Sequence, residues 1–438
     1  WTRLRSQVLG RYTVSGKVSL PGTLLEDAAK MDIAEERARA LEEARARIAD
    51  MERGAGAKTV NMTQRELQGQ LHREHERLRA AWARGERVVA FKIAIKVAKL
   101  LSRPLQTGVP QFYPSMFMLV SALLDTFGRL VFERIRDKAD SEHRRLSGGK
   151  LPEDFTAADV GAEAREMCSN WLYKMACIRE LIGRLYLELA LLECYRFLTD
   201  VDFASVLQRL SHACRGLGDP LAANFARLYL AKAAARLVAG ERERDAVRVC
   251  LRDALVTFKD MESSPTRLTV LERIGVPPLQ YLDLHAPAIG WLIHQVGWRA
   301  PRKIFTAVLR AYRDRCGSSM VLKPILEAFD GSYTTPFLKD VIGLIRSSRD
   351  SMTPKSELYR CLAAGLIPHP PATEVRLPFL NEGWGYCTKH ADEEGGPELF
   401  ANCAATFIEL ATKHYSPREV LILLKDLARR MLQAARDE

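Results

Sequence analysis

The sequence predicts an all-α protein, a HEAT-like α-solenoid of stacked antiparallel helix pairs with a long amino-terminal helical extension. Three observations carry this. Apolar residues recur at helical spacing in segment after segment, with no sustained alternation and no Asn-Gly or Asp-Gly hairpin between alternating runs. The segments number about seventeen and are joined by short turns, giving a helix pair every ~40 residues, which is solenoid arithmetic. The chain has 438 residues, whereas single cores stop growing at roughly 250–300, which disfavours the rival reading of one globular bundle. No strict repeat is visible, which suits HEAT-like stacking better than the sharper consensus of TPR or ankyrin units.

The elements follow in order. Residues 1–57 read as a basic extension with one long charged helix, Leu24–Arg53, whose Glu35–Arg39 and Glu43–Arg47 pairs stand at i,i+4 spacing. Gly54 and Gly56 end it. Residues 58–438 then read as the solenoid, the amino-terminal half of a longer one. Thr63 with Glu66 is a capping-box spacing that opens a helix to about Arg84. Val88–Ser102 is apolar around most of its circumference, with Lys92, Lys96 and Lys99 as a polar strip, so it belongs between neighbours. Pro104 and Pro110 bracket a loop, and Pro114 starts a long helix at a position where its missing N–H does no harm. On that helix Asp125, Arg129 and Glu133 form a charged ladder, with Phe117, Leu124, Phe127 and Val131 pointing elsewhere. The polar, glycine-bearing stretch Ser141–Phe155 is expected to be a flexible loop. Further helices are expected at Glu163–Ala176, Ile178–Leu198, Phe203–Arg215, Pro220–Val238, Glu241–Lys259, Leu279–Gly297, Pro301–Arg315, Leu322–Phe329, Pro336–Arg346 and Lys355–Gly365. The last three are Ala372–Lys389 with an interruption at Pro378, Pro397–Lys413 and Pro417–Ala434. Asp219-Pro220, Thr335-Pro336 and Ser416-Pro417 each set a capping residue before a first-turn proline.

Composition excludes several function classes. Hydrophobic residues make up 47% and charged residues 27%, so wholesale disorder is out. No run of about 18 consecutive apolar residues occurs, so no transmembrane helix is expected. The first residue is Trp1, which suggests a piece of a longer chain. The nine cysteines are scattered and never form a CxxC pair, the pattern of buried thiols in a reducing compartment. The net charge is +11, but Trp1–Arg103 alone holds 21 Lys and Arg against 13 Asp and Glu. A surplus confined to one quarter argues against a nucleic-acid binder, which needs a charged face repeated along its surface.

Motifs for catalysis fail on inspection. Gly10 to Val18 resembles a phosphate-binding loop, yet it has five residues between its glycines and Val18 where a hydroxyl belongs. His72 and His75 stand three apart, whereas zinc-protease helices space theirs by four. No nucleophile elbow and no Cys/His pairing is present, so no catalytic residue, cofactor or metal site is assigned. The segment that stands out for recognition is Glu180 to Glu188. Glu180, Arg184 and Glu188 recur every four residues as a carboxylate–guanidinium–carboxylate strip, beside Leu181, Leu185 and Tyr186. Gly183 inside this helix costs about 1 kcal/mol relative to alanine, which suggests close approach by another backbone. On the residues alone, the plainer reading is an arginine held by its own helix and a tyrosine in the core.

The order of segments adds a resemblance. Thr63–Arg84, Val88–Ser102 and Gln111–Ile135, then Asn170-Trp171, Ile178–Ile182, Arg215–Leu221, Ala286-Pro287-Ala288, Asn402-Cys403-Ala404 and Lys413–Val420 resemble the large scaffold subunits of retriever, from roughly Val60 to Met431. Those are endosomal sorting factors similar to the large subunit of retromer, which is the alternative. A helical-repeat nucleic-acid binder is a remote third. The resemblance implies a non-catalytic α-solenoid scaffold, cytoplasmic and peripheral on endosomes, touching membrane only indirectly and recycling cargo. Its relatives hold an arrestin-like subunit through a Pro-Arg-Leu-Tyr-Leu signature, to which Gly183-Arg184-Leu185-Tyr186-Leu187 corresponds here, with Gly183 for the proline. The resemblance thus implies that Arg184 forks onto an acceptor of the partner while Leu185 and Tyr186 pack against it, flanked by Leu187, Glu180 and Glu188. It further implies a phosphoesterase-fold subunit on a carboxy-terminal half not in this sequence, a COMM-domain and coiled-coil-domain assembly, and a sorting nexin cargo adaptor.

Overall fold

A computed structural model describes residues 1–21, 59–102, 104–107, 109–198, 202–237 and 241–437. The expected helix Leu24–Arg53 lies outside them. The chain divides into two compact units, Trp1–Cys250 with Leu268–Pro287, and Leu251–Arg267 with Ala288–Glu438. Both are built of helices stacked on one another, an all-α solenoid architecture.

The first unit opens with α1 (Thr2–Arg11). A two-stranded antiparallel ribbon follows, β1 (Lys17–Pro21) on β2 (Thr59–Thr63), with Leu20 opposite Val60. No strand was expected. Both segments are short and carry Ser, Thr and Asn, and they pair with partners far away in sequence, so no local signal marks them. The ribbon also disposes of the phosphate-loop resemblance, because α1 runs through Gly10 while Lys17 begins a strand. Between them the Val14 N–H donates to Gln64 Oε1 at 2.7 Å.

β2 leads straight into α2 (Gln64–Ala83). Glu66 N–H donates to the Thr63 hydroxyl and Thr63 N–H to the Glu66 carboxylate, which completes the expected capping box. After Gly85, in left-handed backbone at φ 87, comes α3 (Arg87–Lys99). Its lysine strip serves two cross-helix ion pairs: Lys96 to buried Glu74 at 3.3 Å and Lys99 to Glu180 at 3.2 Å.

The long helix α4 (Tyr113–Ser147) carries Pro114 in its first turn and ends at left-handed Gly148. By length and composition its segment is apolar enough to cross a membrane; 67% of that window is buried inside the protein. It packs on α1, α2 and α3, and on α5 (Ala162–Ala176), α6 (Leu181–Ala190) and α8 (Pro220–Leu237). Two aromatic clusters fill those seams. Trp82, Phe91, Phe127 and Trp171 meet at centroid distances of 5.9–6.1 Å. Phe117, Tyr186, Phe225 and Tyr229 form the other, at 4.9–6.2 Å. The expected charged ladder on α4 is only half present. Arg129 faces Glu133 at 3.9 Å, whereas Asp125 is drawn to Lys232 and to the Tyr229 hydroxyl on α8.

The stretch expected to be a loop from Ser141 is helical to Ser147. Beyond it Leu151 and Phe155 are buried, and the guanidinium of Arg196 sits 4.4 Å from the Phe155 ring centroid. Ile178–Leu198 is likewise not one helix. Glu180 is extended, α6 spans ten residues, and a 3₁₀ segment, Leu192–Phe197, follows. α7 (Phe203–Ala213) and α8 match expectation, and Asp219 caps α8 through the N–H groups of Leu221 and Ala222. The expected helix Leu279–Gly297 is split into α11 (Pro278–Asp283) and α12 (Ala286–Gly297), because Pro287 is accommodated only in a first turn. Between the expected elements, α9 (Glu241–Ser263) is followed by α10 (Pro265–Arg273), which the periodicity did not mark.

In the second unit α12, from Ala288 onward, is followed by α13 (Arg302–Arg315), α14 (Ser319–Ala328), α15 (Gly331–Thr334), α16 (Leu338–Arg346), α17 (Lys355–Leu366), α18 (Thr373–His414) and α19 (Pro417–Asp437). α18 runs through Pro378 and breaks instead at Gly395 and Gly396, the latter at φ 74, just before Pro397. Thr335 is no cap; its hydroxyl donates to the His369 carbonyl at 3.0 Å. Glu357 of α17 accepts from Arg360 at 2.6 and 2.7 Å and faces Lys323 at 2.9 Å. Burial pushes its carboxyl up, but those hydrogen bonds outweigh burial and hold it down at about 2.

Two predictions follow from these seams. A Cβ on Gly128 of α4 would stand 2.8 Å from the Ala190 carbonyl carbon of α6, whereas one on Gly183 would meet only an Ile178 methyl at 3.7 Å. The backbone approach expected at Gly183 is therefore made at Gly128. Gly128→Ala is expected to lower the thermal midpoint by circular dichroism, and Gly183→Ala to leave it unchanged or raise it by the equivalent of about 1 kcal/mol. For Glu357 the folded pKa is depressed from 4.5, so its stabilising contribution is complete above that value and lost as pH falls toward 2. Glu357→Gln should melt earlier than the parent at neutral pH, with the gap closing on acidification; a gap independent of pH would refute this.

Candidate functional site

A hollow lies on the first unit, where α5, α6, the Leu192–Phe197 turn and α7 enclose about 540 Å³. Its apolar wall comes from helical spacing: Leu181 and Leu185 on α6, Leu172 and Ala176 on α5, Leu210 and Ala213 on α7. Its polar groups are Arg184, Glu188, Tyr195 and Arg209, and Tyr173, 71% exposed, stands beside them.

The carboxylate–guanidinium–carboxylate strip read from the sequence is not formed along the helix. Glu180 sits at the extended residue before α6 and pairs outward with Lys99. Glu188 turns into the hollow, where it accepts from the Tyr195 hydroxyl at 2.6 Å and from both terminal nitrogens of Arg209. Burial first, and then the Glu188 hydrogen bond, raise the Tyr195 hydroxyl well above its ordinary value. The same carboxylate raises Arg209. Each carboxylate is thus taken by a cation from a different element. Arg184 is half-buried and lines the hollow, and among the described residues no carboxylate or carbonyl holds its guanidinium.

The other members of the expected motif point the other way. Leu185 is 1% exposed, and Tyr186 and Leu187 are 0%. Tyr186 stacks on Tyr229 at 5.6 Å in the second aromatic cluster. Leu185 and Tyr186, expected as packing surface for a partner, are both buried, as is the flanking Leu187. Leu185 backs the hollow with little area to offer, and Gly183 is buried too. The tyrosine in the core was the plainer sequence reading. The sequence missed Tyr173, Tyr195 and Arg209, which reach the hollow from α5, the turn and α7. Only the aromatic and basic character of these residues could have drawn notice, because nothing local tells which helix faces are shared.

A second hollow of about 280 Å³ lies beside Asp125, Glu193, Tyr229, Lys232 and Arg236. Its buried charge is satisfied within the unit by Lys232 on Asp125. The His72/His75 pair holds no metal cluster. His75 Nε2 bonds the Thr126 hydroxyl at 2.9 Å, and burial lowers its pKa. Among the described residues no group of three or more His, Cys, Asp and Glu is placed to ligate an ion.

Comparison with known proteins gives two family matches. A family model described as VPS35L matches residues 1–281, and one described as VPS35L C-terminal domain matches residues 300–437. The chain is 34% identical over 437 residues to a Danio rerio protein named VPS35 endosomal protein-sorting factor-like, covering 98% of this chain and 43% of that protein. The Homo sapiens protein of that name is 33% identical over 436 residues, with 98% and 43% covered. A Dictyostelium discoideum relative of similar name is 31% identical over 379 residues, with 86% and 37% covered. The chain therefore spans less than half the length of these relatives.

The geometry separates folding from surface. Tyr186→Ala should destabilise the first unit by about 3–5 kcal/mol, the usual cost of emptying a large aromatic site. Arg184→Ala should leave the unfolding free energy within about half a kcal/mol of the parent, because no described partner loses a bond. Equal losses in urea titrations of the two variants would contradict this assignment.

Proposed function

This chain belongs to the VPS35L family, and from that premise we propose that it is a non-catalytic scaffold in endosomal protein sorting, part of a retriever-type cargo-recycling assembly. The hollow beside Arg184 holds the arrestin-like subunit. One observation carries this reading: a half-buried guanidinium without a described counter-charge, set in an apolar wall and flanked by an exposed tyrosine. A desolvated arginine with aromatic neighbours is the composition of an interface hot spot, and its planar fork suits a carboxylate or a pair of carbonyls. Glu188 and Arg209 neutralise one another, so they fix the shape of the rim and leave Arg184 as the group seeking a partner. The contact is made by Arg184 and its exposed surroundings, with Tyr186 and Leu187 supporting them from inside.

The wider assembly in this proposal comprises the phosphoesterase-fold subunit, the COMM-domain and coiled-coil-domain proteins and the sorting nexin adaptor, with work on the cytoplasmic side of endosomes. The relatives' name and the helical stacking support the scaffold reading over a nucleic-acid binder. The family match supports it over a retromer-type subunit.

The test is a pull-down of the purified arrestin-like subunit by the whole chain. Arg184→Glu and Tyr173→Ala are each expected to weaken capture by about tenfold or more while leaving the circular dichroism melt intact. Leu185→Asp is unsuited, because a buried charge would unfold the unit. Full capture by both folded variants would remove the hollow from the interface.

A further inference from the structure

The second unit carries a charged face that the scaffold reading does not use. From Trp298 to Arg313 the sequence contains Arg299, Arg302, Lys303, Arg310 and Arg313 and no Asp or Glu. α13 buries Phe305, Val308, Leu309 and Tyr312, with Phe305 against Phe329 at 5.1 Å and Phe337 at 5.8 Å. At 3.6 residues per turn, Arg302, Lys303, Arg310 and Arg313 share an arc of about 100° beside the buried one. All four are exposed. Among the described residues none of them forms an ion pair; Arg302 alone makes a long bond, 3.5 Å, to the Ser332 carbonyl. Asp314 follows at the far end of the strip.

The leading end of this face is rigid. A Cβ on Gly297 would stand 3.0 Å from both the Cβ and the carbonyl oxygen of Ala328, so the chain there is pressed against α14. Arg299 then takes left-handed backbone at φ 50, uncommon for a residue with a side chain. This turn presents Trp298, 57% exposed, with the Arg299 guanidinium 4.8 Å from its ring centroid. Ala300, only 6% exposed, follows as a buried residue.

We propose that this face of α13, with Trp298 at its head, is a contact surface for an anionic phospholipid membrane. It departs from the indirect membrane contact that the resemblance implies. A protein partner needs an apolar centre to bury, and the one other side chain within the arc of these cations is Thr306. A flat anionic surface engages every cation at once without such a centre. Near such a surface each Lys or Arg raises partition about fivefold, and tryptophan is the side chain that settles at headgroup level. Four or five cations with one aromatic anchor give weak, reversible attachment.

The experiment is co-sedimentation of the whole chain with vesicles of phosphatidylcholine alone or mixed with phosphatidylserine, at low and high salt. Binding is expected only with phosphatidylserine, falling as salt rises. Arg302→Glu/Lys303→Glu should weaken it at least about tenfold, and Trp298→Ala should weaken it as well. Arg65→Glu/Arg73→Glu, an equal charge change at exposed sites on α2, should leave it close to the parent value. Absence of sedimentation with either vesicle, or equal losses in both double variants, overturns the proposal. Binding to polyglutamate without binding to vesicles overturns it too, in favour of an acidic polypeptide. Melting curves of each variant confirm that it is folded.

Discussion

The approach of α6 onto α4 at Gly128 sets the terms for the whole first unit. Without a side chain at Gly128, the Ala190 carbonyl of α6 can lie against the α4 backbone, and α6 ends at that residue. The following 3₁₀ turn then brings Tyr195 back toward Glu188. The same close seam carries Tyr186 into the cluster with Phe117 and Tyr229. One face of a ten-residue helix is thus committed to the core, and only its outer edge is left to line the hollow.

Charge is handled by the same logic of neighbouring helices. Intrahelical pairs at i,i+4 contribute only a few tenths of a kcal/mol, and in this unit several carboxylates are reached by a cation from another element. Glu74 takes Lys96, Glu180 takes Lys99, Asp125 takes Lys232 and Glu188 takes Arg209. Each such pair ties two elements together. Arg184 is the residue this exchange leaves over. Its availability is a consequence of packing, and a solvent-facing arginine flanked by two carboxylates on its own helix would not have it.

The amino-terminal extension belongs to this unit at its beginning. Val8 and Tyr12 are buried, the Ser115 hydroxyl of α4 donates to the Tyr12 carbonyl at 2.7 Å, and Arg11 pairs with Asp283 of α11 at 2.7 Å. A short helix therefore fastens the ends of two others. In the second unit, α13 shows the complementary case, a helix whose apolar face is buried and whose exposed residues include Arg302, Lys303, Arg310 and Arg313.

How much of this was legible beforehand depends on the range of the interaction. The all-α class, the capping box at Thr63, the first-turn prolines at Pro114 and Pro220, and the family resemblance all rest on neighbours within a few residues or on segment order, and a linear sequence displays these. The β1–β2 pairing and the site of close backbone approach each depend on what lies across the seam. The motif around Arg184 shows both sides in one place. Its residues stood out by spacing alone, yet whether Tyr186 faces a partner or the core was decided by Gly128, fifty-odd residues earlier on another helix. Periodicity tells that a helix has an apolar face. Only the contacts between helices determine which of its remaining side chains are consumed and which are left exposed, because burial and ion pairing are properties of the space between elements.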